Sequence, residues 1–512
     1  MAKGIMVVGT ASHVGKSVIA TALCRILKQD GYDVVPFKAQ NMSLNSAVTP
    51  SGREIGRSQA AQAQACGVAP NEHMNPILLK PTSPSESQVI VQGRVVGREW
   101  AFSESTNRLD FLWSRVVESY QYLTQRHDVM VIEGAGSPVE LNLKSRDLAN
   151  MRTAELADAD VLLVADIDRG GVFASVYGTL QLLTQSERER VKGIIINRFR
   201  GDPALFEDGV RQMESLTGVP VVGVIPYIEH VGVDEEDGVA LESASETQRR
   251  HFATTKAIED GQDMPKLRIA IIQLPYISNF TDIDPLLLEP DIEVHFCSRS
   301  AELEGAAAVI VPGSKNTMAD LAWLHDRGFT EALHQLVQHG AFVVGICGGY
   351  QMLGRKVHDP LQVESRLGRC QGIGLFDDET TFQADKRTVL VQGTLCGPYE
   401  DIRVHGYEIH MGVTTRNRSK PFAQIRDGDS DIWVDEGSCS EDGAIIGTYM
   451  HGIFHNDAFR LAWLNSLRLK SGLSERAEII AVDELREAAY DRLADTVRAN
   501  LDMNRIYQLL RG

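Results

Sequence analysis

Short apolar runs recur along the first half of the chain, and each is followed by a polar or glycine-rich turn and then by a helical pattern. The runs occupy residues 4–8, 33–37, 128–132, 161–165, 193–196 and 221–225. Runs of this length are typical of strands that are buried on both faces. Strands that alternate with helices form parallel sheets, and ligands bind at the carboxyl edge of such sheets. The pattern therefore predicts a doubly wound α/β domain over residues 1–232.

The second half repeats this pattern after a polar, charged stretch at residues 233–265, which we interpret as an interdomain linker. A second doubly wound α/β domain is expected over residues 266–512. Its strands are predicted at residues 267–273, 292–296, 306–311, 341–344, 389–395 and 444–449. Apolar residues at every fourth position near the end predict an amphipathic helix against that domain: Leu485, Ala489, Leu493, Val497 and Leu501.

The composition is that of an ordinary soluble protein, with 512 residues, 43% hydrophobic and 23% charged. The net charge of −18 argues against a nucleic-acid partner. No apolar run approaches the ~20 residues that span a bilayer, so no membrane partner is expected. The seven cysteines are scattered without a CxxC pair, and the first residues show no signal-peptide pattern. We therefore expect a cytoplasmic protein without a disulfide framework or a zinc site.

A candidate phosphate-binding loop follows the first strand. Gly9 and Gly15 bracket the loop, Lys16 and Ser17 follow directly, and a helical pattern begins there. In a loop of this kind, backbone amides from Thr10 onward bind phosphate oxygens, the lysine neutralises them, and the hydroxyl reaches Mg²⁺. An ordinary turn with chance glycines is the alternative, and the Lys-Ser pair in this context disfavours it. The loop predicts ATP binding.

Polar residues at later strand ends are candidate ligands along the same edge of the sheet. Glu133 follows a buried strand, and we predict that it holds Mg²⁺ together with Ser17. Asn197 ends a late strand, where many P-loop folds bind the nucleotide base. Other turns supply further polar side chains, for which solvated turns are the alternative: Lys38, Asn41, Ser43, Asp147 and Arg169.

A candidate nucleophile lies in the second domain, where the strand at 341–344 ends in a Gly-Ile-Cys-Gly-Gly sequence centred on Cys347. This glycine-x-nucleophile-x-glycine spacing is typical of a sharp strand-to-helix turn that exposes the nucleophile. A thiolate needs a base, and His451 at the end of another strand is the candidate. Backbone amides at Gly313, Ser314 and Gly348 are candidate donors to an oxyanion. A buried structural cysteine is the alternative. The pattern predicts acyl transfer, most simply the release of ammonia from an amide.

Two local resemblances follow from these motifs. The strings GICGGYQMLG and YMHGIF resemble the glutaminase domain of the triad glutamine amidotransferases, with Cys347 and His451 at the matching positions. That family usually carries a glutamate two residues after the histidine, where this chain has Ile453. Glu408 is a candidate substitute, and the alternative is that a backbone carbonyl or water orients His451. Five residues, instead of the common four, separate Gly9 from Gly15, and this longer loop resembles that of dethiobiotin synthetase.

Further strings extend the resemblance over nearly the whole chain. They are FKAQNMSLNS, LKPTSPSESQVIVQGR, ADIDRGGVFAS, INRFRGD, LPYISNFTDIDPL, PGSKNT and HGYEIHMG, and together they resemble the cobyric acid synthase family. The resemblance implies a dethiobiotin synthetase-like P-loop domain joined to a flavodoxin-like class I glutaminase domain. It further implies amidation of the b, d, e and g carboxylates of adenosylcobyrinic acid a,c-diamide, with glutamine as nitrogen donor and ATP with Mg²⁺ as activator.

On this interpretation, Lys38, Asn41, Ser43, Asp147 and Arg169 are expected to contact the corrinoid carboxylates and the acyl phosphate. Two rival functions remain open from the sequence. A sibling amidoligase, such as cobyrinic acid a,c-diamide synthase or a cell-wall amidotransferase, shares both half-reactions. A P-loop partition or regulatory ATPase with a vestigial glutaminase is disfavoured by the acidic charge and by the intact Cys347 and His451. A homo-oligomer is also left open.

Overall fold

The computed structural model describes residues 2–83, 86–97, 106–228, 266–365, 367–428 and 430–511. The chain forms two compact units, Met1–Glu236 with Asp483–Gly512, and Asp237–Val482. The predicted linker at 233–265 lies outside the described residues. Within the described ranges, no helix is both long and apolar enough to cross a membrane.

The first unit is built on a six-stranded sheet in which every neighbouring pair of strands is parallel. In spatial order the strands are Val221–Pro226, Val191–Phe199, Asp160–Asp166, Lys3–Gly9, Val129–Glu133 and Val34–Phe37. Alternate residues of the central strand pack on opposite faces, Met6 and Val8 in one apolar cluster and Ile5 and Val7 in another. The sheet is therefore buried on both sides, and the predicted doubly wound architecture is confirmed.

Residues 40–97 form two small sheets beside this core. Strands Gln40–Met42, Ile77–Ser83, Glu86–Val91 and Arg94–Gly97 make a four-stranded sheet. Ser46–Val48 and Glu54–Gly56 form an antiparallel pair. Helices of the unit are Lys16–Gln29, Arg57–Cys66, Thr106–Thr124, Met151–Leu156, Val172–Leu182, Gln185–Arg190, Glu207–Thr217, Val482–Ala499 and Met503–Arg511, with 3₁₀ turns at Glu72–Met74, Lys144–Arg146 and Pro203–Phe206.

The second unit contains another six-stranded sheet. Its strands, in spatial order, are Ile292–Cys297, Leu267–Ile272, Ala308–Val311, Phe342–Ile346, Ile445–Thr448 and Ser438–Cys439. The first five are parallel and follow the order 2-1-3-4-5, which is the flavodoxin-like order, and the last pair is antiparallel. The predicted flavodoxin-like domain is thus confirmed, and its central strands lead to the candidate nucleophile and base.

A second sheet of this unit lies beside the carboxyl edge of the first. Its strands are Arg369–Gln371, Lys356–His358, Glu379–Leu395, Arg403–Thr415, Ala423–Asp427 and Val434–Glu436. The Arg403–Thr415 strand contains the HGYEIHMG string, and Tyr407 forms an antiparallel bridge with His451. A two-stranded sheet joins Ile277–Ser278 to Gly313–Ser314. Helices are Asp284–Leu287, Thr317–Asp326, Phe329–Gln338, Gly348–Leu353 and Asp457–Lys470, with 3₁₀ turns at Phe280–Ile283, Ser300–Leu303, Gly397–Tyr399 and Ile453–His455.

The C-terminal tail belongs to the first unit, which corrects the sequence-based grouping of residues 266–512 into one domain. Leu493 and Val497 pack into the apolar cluster that contains Leu23 of the first helix. Arg25 of the same helix donates to Asp491 at 2.7 Å and to Glu487 at 2.8 Å. The amphipathic pattern was identified correctly, but periodicity cannot tell which of two apolar surfaces a helix will cover.

The contribution of the C-terminal tail to the stability of the first unit can be measured by substituting two leucines of one helix. Leu493 is 2% exposed and Leu485 is 40% exposed. We expect Leu493→Ala to destabilise the first unit by about 2–5 kcal/mol, because the substitution leaves a cavity in its core. Hydrogen–deuterium exchange should accelerate in the Lys16–Gln29 helix, whereas Leu485→Ala should change little. Faster exchange confined to residues 266–482 would contradict this placement of the tail.

Candidate active site

The phosphate-binding loop connects strand Lys3–Gly9 to helix Lys16–Gln29. Gly15 precedes the helix with φ of 97°, a left-handed conformation that favours glycine. A Cβ added at Gly15 would lie 2.1 Å from Asn197 Nδ2, so the close approach of Asn197 also requires glycine here. At the start of the loop, the Thr10 amide donates to the Val164 carbonyl at 3.0 Å. The loop is thus fixed at both ends on the parallel sheet.

Lys16 and Asn197 fix the interior of this loop. The buried Lys16 side chain reaches back across the loop, and its Nζ donates to the Ala11 carbonyl at 2.9 Å. Asn197 Nδ2 donates to the Val14 carbonyl at 2.9 Å. The ammonium therefore lies over the loop whose backbone amides are the expected phosphate ligands. Asn197 lies against the loop from a neighbouring strand end.

Glu133 is the centre of the site in the first unit, and its side chain is completely buried. Its carboxylate accepts hydrogen bonds from Ser17 Oγ at 2.7 Å, Lys38 Nζ at 2.9 Å and Gln62 Nε2 at 2.6 Å. Three of the residues singled out in the sequence therefore meet, and Gln62 is a partner that the sequence analysis missed. The ion pair with Lys38 compensates for the buried charge.

Ser17 and Glu133 supply the hard oxygen ligands that Mg²⁺ prefers. Within the described ranges no cluster of three or more His, Cys, Asp or Glu side chains could hold a metal ion. A site with one carboxylate and one hydroxyl still fits Mg²⁺, because that ion usually keeps several waters and binds substrate phosphates. The residues present therefore suit a nucleotide-bound Mg²⁺ better than a cage built from protein alone.

Of the other predicted substrate residues, Asn41 lies in strand Gln40–Met42, Ser43 directly follows that strand, and two lie on later turns. Asn41 Nδ2 donates to Gln59 Oε1 at 2.9 Å, and Ser43 Oγ accepts from the Asn45 amide at 3.0 Å. The Asp147 carboxylate accepts from two backbone amides of the next turn, at 2.8 and 3.1 Å. Burial raises the pKa of Asp147 despite these bonds. Arg169 is exposed on the turn after strand Asp160–Asp166.

In the second unit, Cys347 occupies the turn between strand Phe342–Ile346 and helix Gly348–Leu353. Its φ of 52° is unusual for a residue with a side chain, and such strain is typical of a nucleophile held on a sharp turn. A Cβ at Gly349 would lie 1.9 Å from the Val311 carbonyl, so the helix approaches the sheet too closely for any other residue. The Cys347 thiol is 3.5 Å from the Ile409 carbonyl.

His451, the predicted base, is hydrogen-bonded to Asp282. His451 Nδ1 lies 2.7 Å from Asp282 Oδ2, and the Gly452 amide donates to Asp282 Oδ1 at 2.8 Å. Burial alone would lower the pKa of His451, but the charge of Asp282 and the adjacent Cys347 raise it to about 10. The charge of Asp282 therefore favours the protonated form of the imidazole. Cys347, His451 and Asp282 are thus the candidate catalytic triad, with a nucleophile, a base and an orienting carboxylate.

Asp282 was missed in the sequence. Ile453, at the usual glutamate position, is fully buried among apolar residues. The candidate substitute Glu408 is wrong, because its carboxylate pairs with Arg387 and lies 3.6 Å from His410. Asp282 belongs to the polar NFTDIDPL segment that follows the first strand of this unit. Its position just beyond a strand end was the available signal, although it precedes His451 by 169 positions.

The candidate oxyanion residues gather around the triad. A Cβ at Gly348 would lie 2.8 Å from the Ser314 amide nitrogen, and a Cβ at Gly313 would lie 3.3 Å from His451 Cε1. Asp320 supports this turn, since its carboxylate accepts from Ser314 Oγ at 2.6 Å and from the Tyr276 amide at 3.2 Å. Burial raises the pKa of Asp320 to about 7. Gly348 and the Ser314 amide are thus neighbours, as the predicted oxyanion site requires.

Two family models match the chain. Residues 5–241 match the CobQ/CobB/MinD/ParA nucleotide binding domain. Residues 268–459 match the CobB/CobQ-like glutamine amidotransferase domain. The two matches cover the phosphate-binding loop and the Cys347 triad, respectively.

Similar proteins extend over the full chain. A cobyric acid synthase of Citrobacter koseri is 45% identical, over 100% of this chain and 99% of that protein. One of Yersinia enterocolitica is 46% identical, over 99% and 98%, and one of Salmonella agona is 45% identical, over 100% and 99%. Both family models match this chain, and its identity to cobyric acid synthases extends from end to end. The chain therefore belongs to the cobyric acid synthase family.

Proposed function

We propose that this protein amidates the b, d, e and g carboxylates of adenosylcobyrinic acid a,c-diamide, giving adenosylcobyric acid. Glutamine is the nitrogen donor, and ATP activates each carboxylate. Full-length similarity to cobyric acid synthases is the observation that carries this proposal. The Cys347–His451–Asp282 triad and the Ser17–Glu133 site support it, since they supply the two half-reactions that such an amidation needs. All these reactants are present in the cytoplasm.

The triad releases ammonia in two steps. The Cys347 thiolate attacks the side-chain amide carbon of glutamine, and the oxyanion accepts hydrogen bonds from the backbone amides of Ser314 and Gly348. His451 donates its proton to the departing nitrogen, so that ammonia leaves and a thioester remains. His451 then removes a proton from water, which attacks the thioester and releases glutamate and the thiolate. Asp282 keeps the imidazole in the required tautomer throughout.

The first unit activates the acceptor. A carboxylate does not react with ammonia at neutral pH, because its oxygen is a poor leaving group. Attack of the carboxylate oxygen on the γ-phosphorus of ATP releases ADP and forms an acyl phosphate, from which ammonia then displaces phosphate. Lys16 and the loop amides bind the phosphates, and Asn197 lies near the base. Ser17 and Glu133 would hold Mg²⁺, which neutralises phosphate charge when bound.

The corrinoid carboxylates are assigned to the same edge of the first sheet. Lys38 is the strongest candidate, because its ammonium already lies against Glu133 and beside Ser17. Asn41 and Ser43 extend from the same strand end. Asp147 and Arg169 lie on the following turns and would contact the rim of the ring. We propose residues 1–232 as the ATP-dependent amidoligase region, with glutaminase activity in the region beginning at residue 266.

The function is tested by incubating the protein with the a,c-diamide, ATP and glutamine and following the corrinoid by mass spectrometry. We expect four successive exchanges of OH for NH₂, each dependent on ATP. A corrinoid that stays unchanged would contradict the proposal and favour a sibling amidoligase. Cobyrinic acid, which carries no amides, is the comparison substrate for that outcome.

Cys347→Ser should abolish glutamine-dependent amidation, because the hydroxyl is a far weaker nucleophile at neutral pH. Activity with an added ammonium salt should remain near the wild-type level, since the first unit is unchanged. Both rates are measured from the amidated corrinoid, with glutamate release as a second readout. If ammonium salts fail to restore activity, the proposed division of labour is wrong.

Asp282→Asn should lower glutamine-dependent kcat by at least about a hundredfold, because the imidazole loses the carboxylate that orients and charges it. Asp282 raises the pKa of His451, so its loss lowers that pKa and the imidazolium disappears at lower pH. The alkaline limb of the glutaminase pH profile should therefore shift to lower pH.

The matched control for this pH experiment is Asp284→Asn, which removes a carboxylate from the adjacent turn. The control should keep the wild-type pH profile. Both variants should retain ammonia-dependent activity. An unshifted alkaline limb in Asp282→Asn would show that another group sets the charge of His451.

A further inference from the structure

Besides Asn150, three buried side-chain amides of the first unit carry polar atoms that have no hydrogen-bond partner among the described residues. These atoms are both Nδ2 and Oδ1 of Asn45, Nε2 of Gln59 and Oε1 of Gln62. Asn45 and Gln59 are 0% exposed and Gln62 is 1% exposed. Buried polar atoms are nearly always hydrogen-bonded in folded proteins, so each of these exceptions requires a physical reason. We call these three residues the amide cluster.

The amide cluster is organised around one helix. Gln59 and Gln62 are three positions apart on helix Arg57–Cys66 and therefore share a face. Asn45 is held at the start of this helix, because its carbonyl accepts from the Arg57 amide at 3.1 Å. Asn45 is therefore placed at the start of the helix whose one face carries Gln59 and Gln62.

The hydrogen bonds already formed within the protein determine which atoms of the amide cluster remain without a partner. Gln62 Nε2 donates to Glu133 at 2.6 Å, and a carboxylate only accepts, so the remaining Gln62 atom is an acceptor. Gln59 Oε1 accepts from Asn41 at 2.9 Å, so the remaining Gln59 atom is a donor. Asn45 has one unpartnered donor, Nδ2, and one unpartnered acceptor, Oδ1. The cluster therefore presents two donors and two acceptors.

A ligand that pairs with two donors and two acceptors must itself both donate and accept hydrogen bonds. An ionised carboxylate only accepts and would leave the carbonyl oxygens of Asn45 and Gln62 facing negative charge. A primary carboxamide carries a carbonyl oxygen and an NH₂ group, so it matches both kinds of atom. Because the cluster is almost fully buried, only a small group can enter, such as one side arm of a larger molecule whose ring remains outside.

We propose that the amide cluster binds a primary carboxamide arm of the corrinoid substrate. The inference rests on the proposed function, in which the substrate carries two carboxamides and gains four more. Gln62 shares Glu133 with Ser17 and Lys38, so a bound carboxamide would lie beside the carboxylate that is being activated. The cluster would then select corrinoids that already carry amides, and it would also retain partly amidated intermediates.

The test replaces amides by apolar side chains of similar shape, in Asn45→Leu and Gln59→Met. Dissociation constants for the a,c-diamide and for cobyrinic acid, which has no amides, are measured on the full chain by equilibrium dialysis of the coloured corrinoids. We expect the dissociation constant for the a,c-diamide to rise by at least about tenfold, as when a polar site loses its matching group. The preference for the diamide over the acid should fall toward one.

Thermal stability separates binding from a structural role. In Asn45→Leu both removed polar atoms lack a partner, so Tm should stay unchanged or rise, whereas a structural role of Asn45 would lower it. Gln59→Met also removes the hydrogen bond from Asn41, so a lower Tm is expected for that variant and only its affinities are compared. The matched control is Gln64→Met on the same helix, where the side chain is half-buried and bonded to Tyr490. Affinity for the diamide and for ATP should stay at wild-type values in this control.

Each possible result of the affinity measurements either supports or overturns the inference. If both variants keep wild-type affinity and the diamide preference, the cluster holds trapped water only and the inference is wrong. A wild-type protein that binds and amidates the corrinoid while the variants do not differ from it overturns the inference alone. A wild-type protein that neither binds nor amidates the corrinoid overturns the proposed function, and this inference with it.

Discussion

A carboxylate removed from water has to be paired with a cation or with several donors, and this constraint organises both units. In the first unit the buried Glu133 draws together the phosphate-binding helix through Ser17 and the second strand through Lys38. In the second, the buried Asp282 is hydrogen-bonded to His451, the proposed base. Each carboxylate lies beyond the carboxyl edge of a parallel sheet, where the backbone leaves room for chemistry.

The parts of the site predicted from sequence are those whose chemistry is carried by contiguous residues. The Lys16–Ser17 pair and the elbow around Cys347 are recognisable because a strand, a glycine turn and a helix follow one another within a few positions. The sheets were predictable for a related reason, since strands buried on both faces leave uninterrupted apolar runs. Local geometry is encoded locally, and these elements needed no long-range information.

Contacts between residues far apart in the chain could not be predicted from the sequence. Asp282 and His451 are far apart in the chain, and either of two carboxylates met the chemical requirement, so only the fold decides between Asp282 and Glu408. Gln62 was missed because a glutamine in an ordinary helical segment carries no signal of its partner. The unpartnered atoms of Asn45 and Gln59 are a property of packing, which becomes visible only when all neighbours are placed.

The final helices have a consequence for how the chain is made. Because Leu493 and Val497 complete the core against the first helix, the N-terminal unit lacks part of its apolar covering until residues 483–510 have left the ribosome. Most multidomain chains can fold their first domain during synthesis. Here the nascent N-terminal half would wait for the synthesis of these distant helices, and a gene divided at the linker would yield a first fragment with an uncovered hydrophobic face.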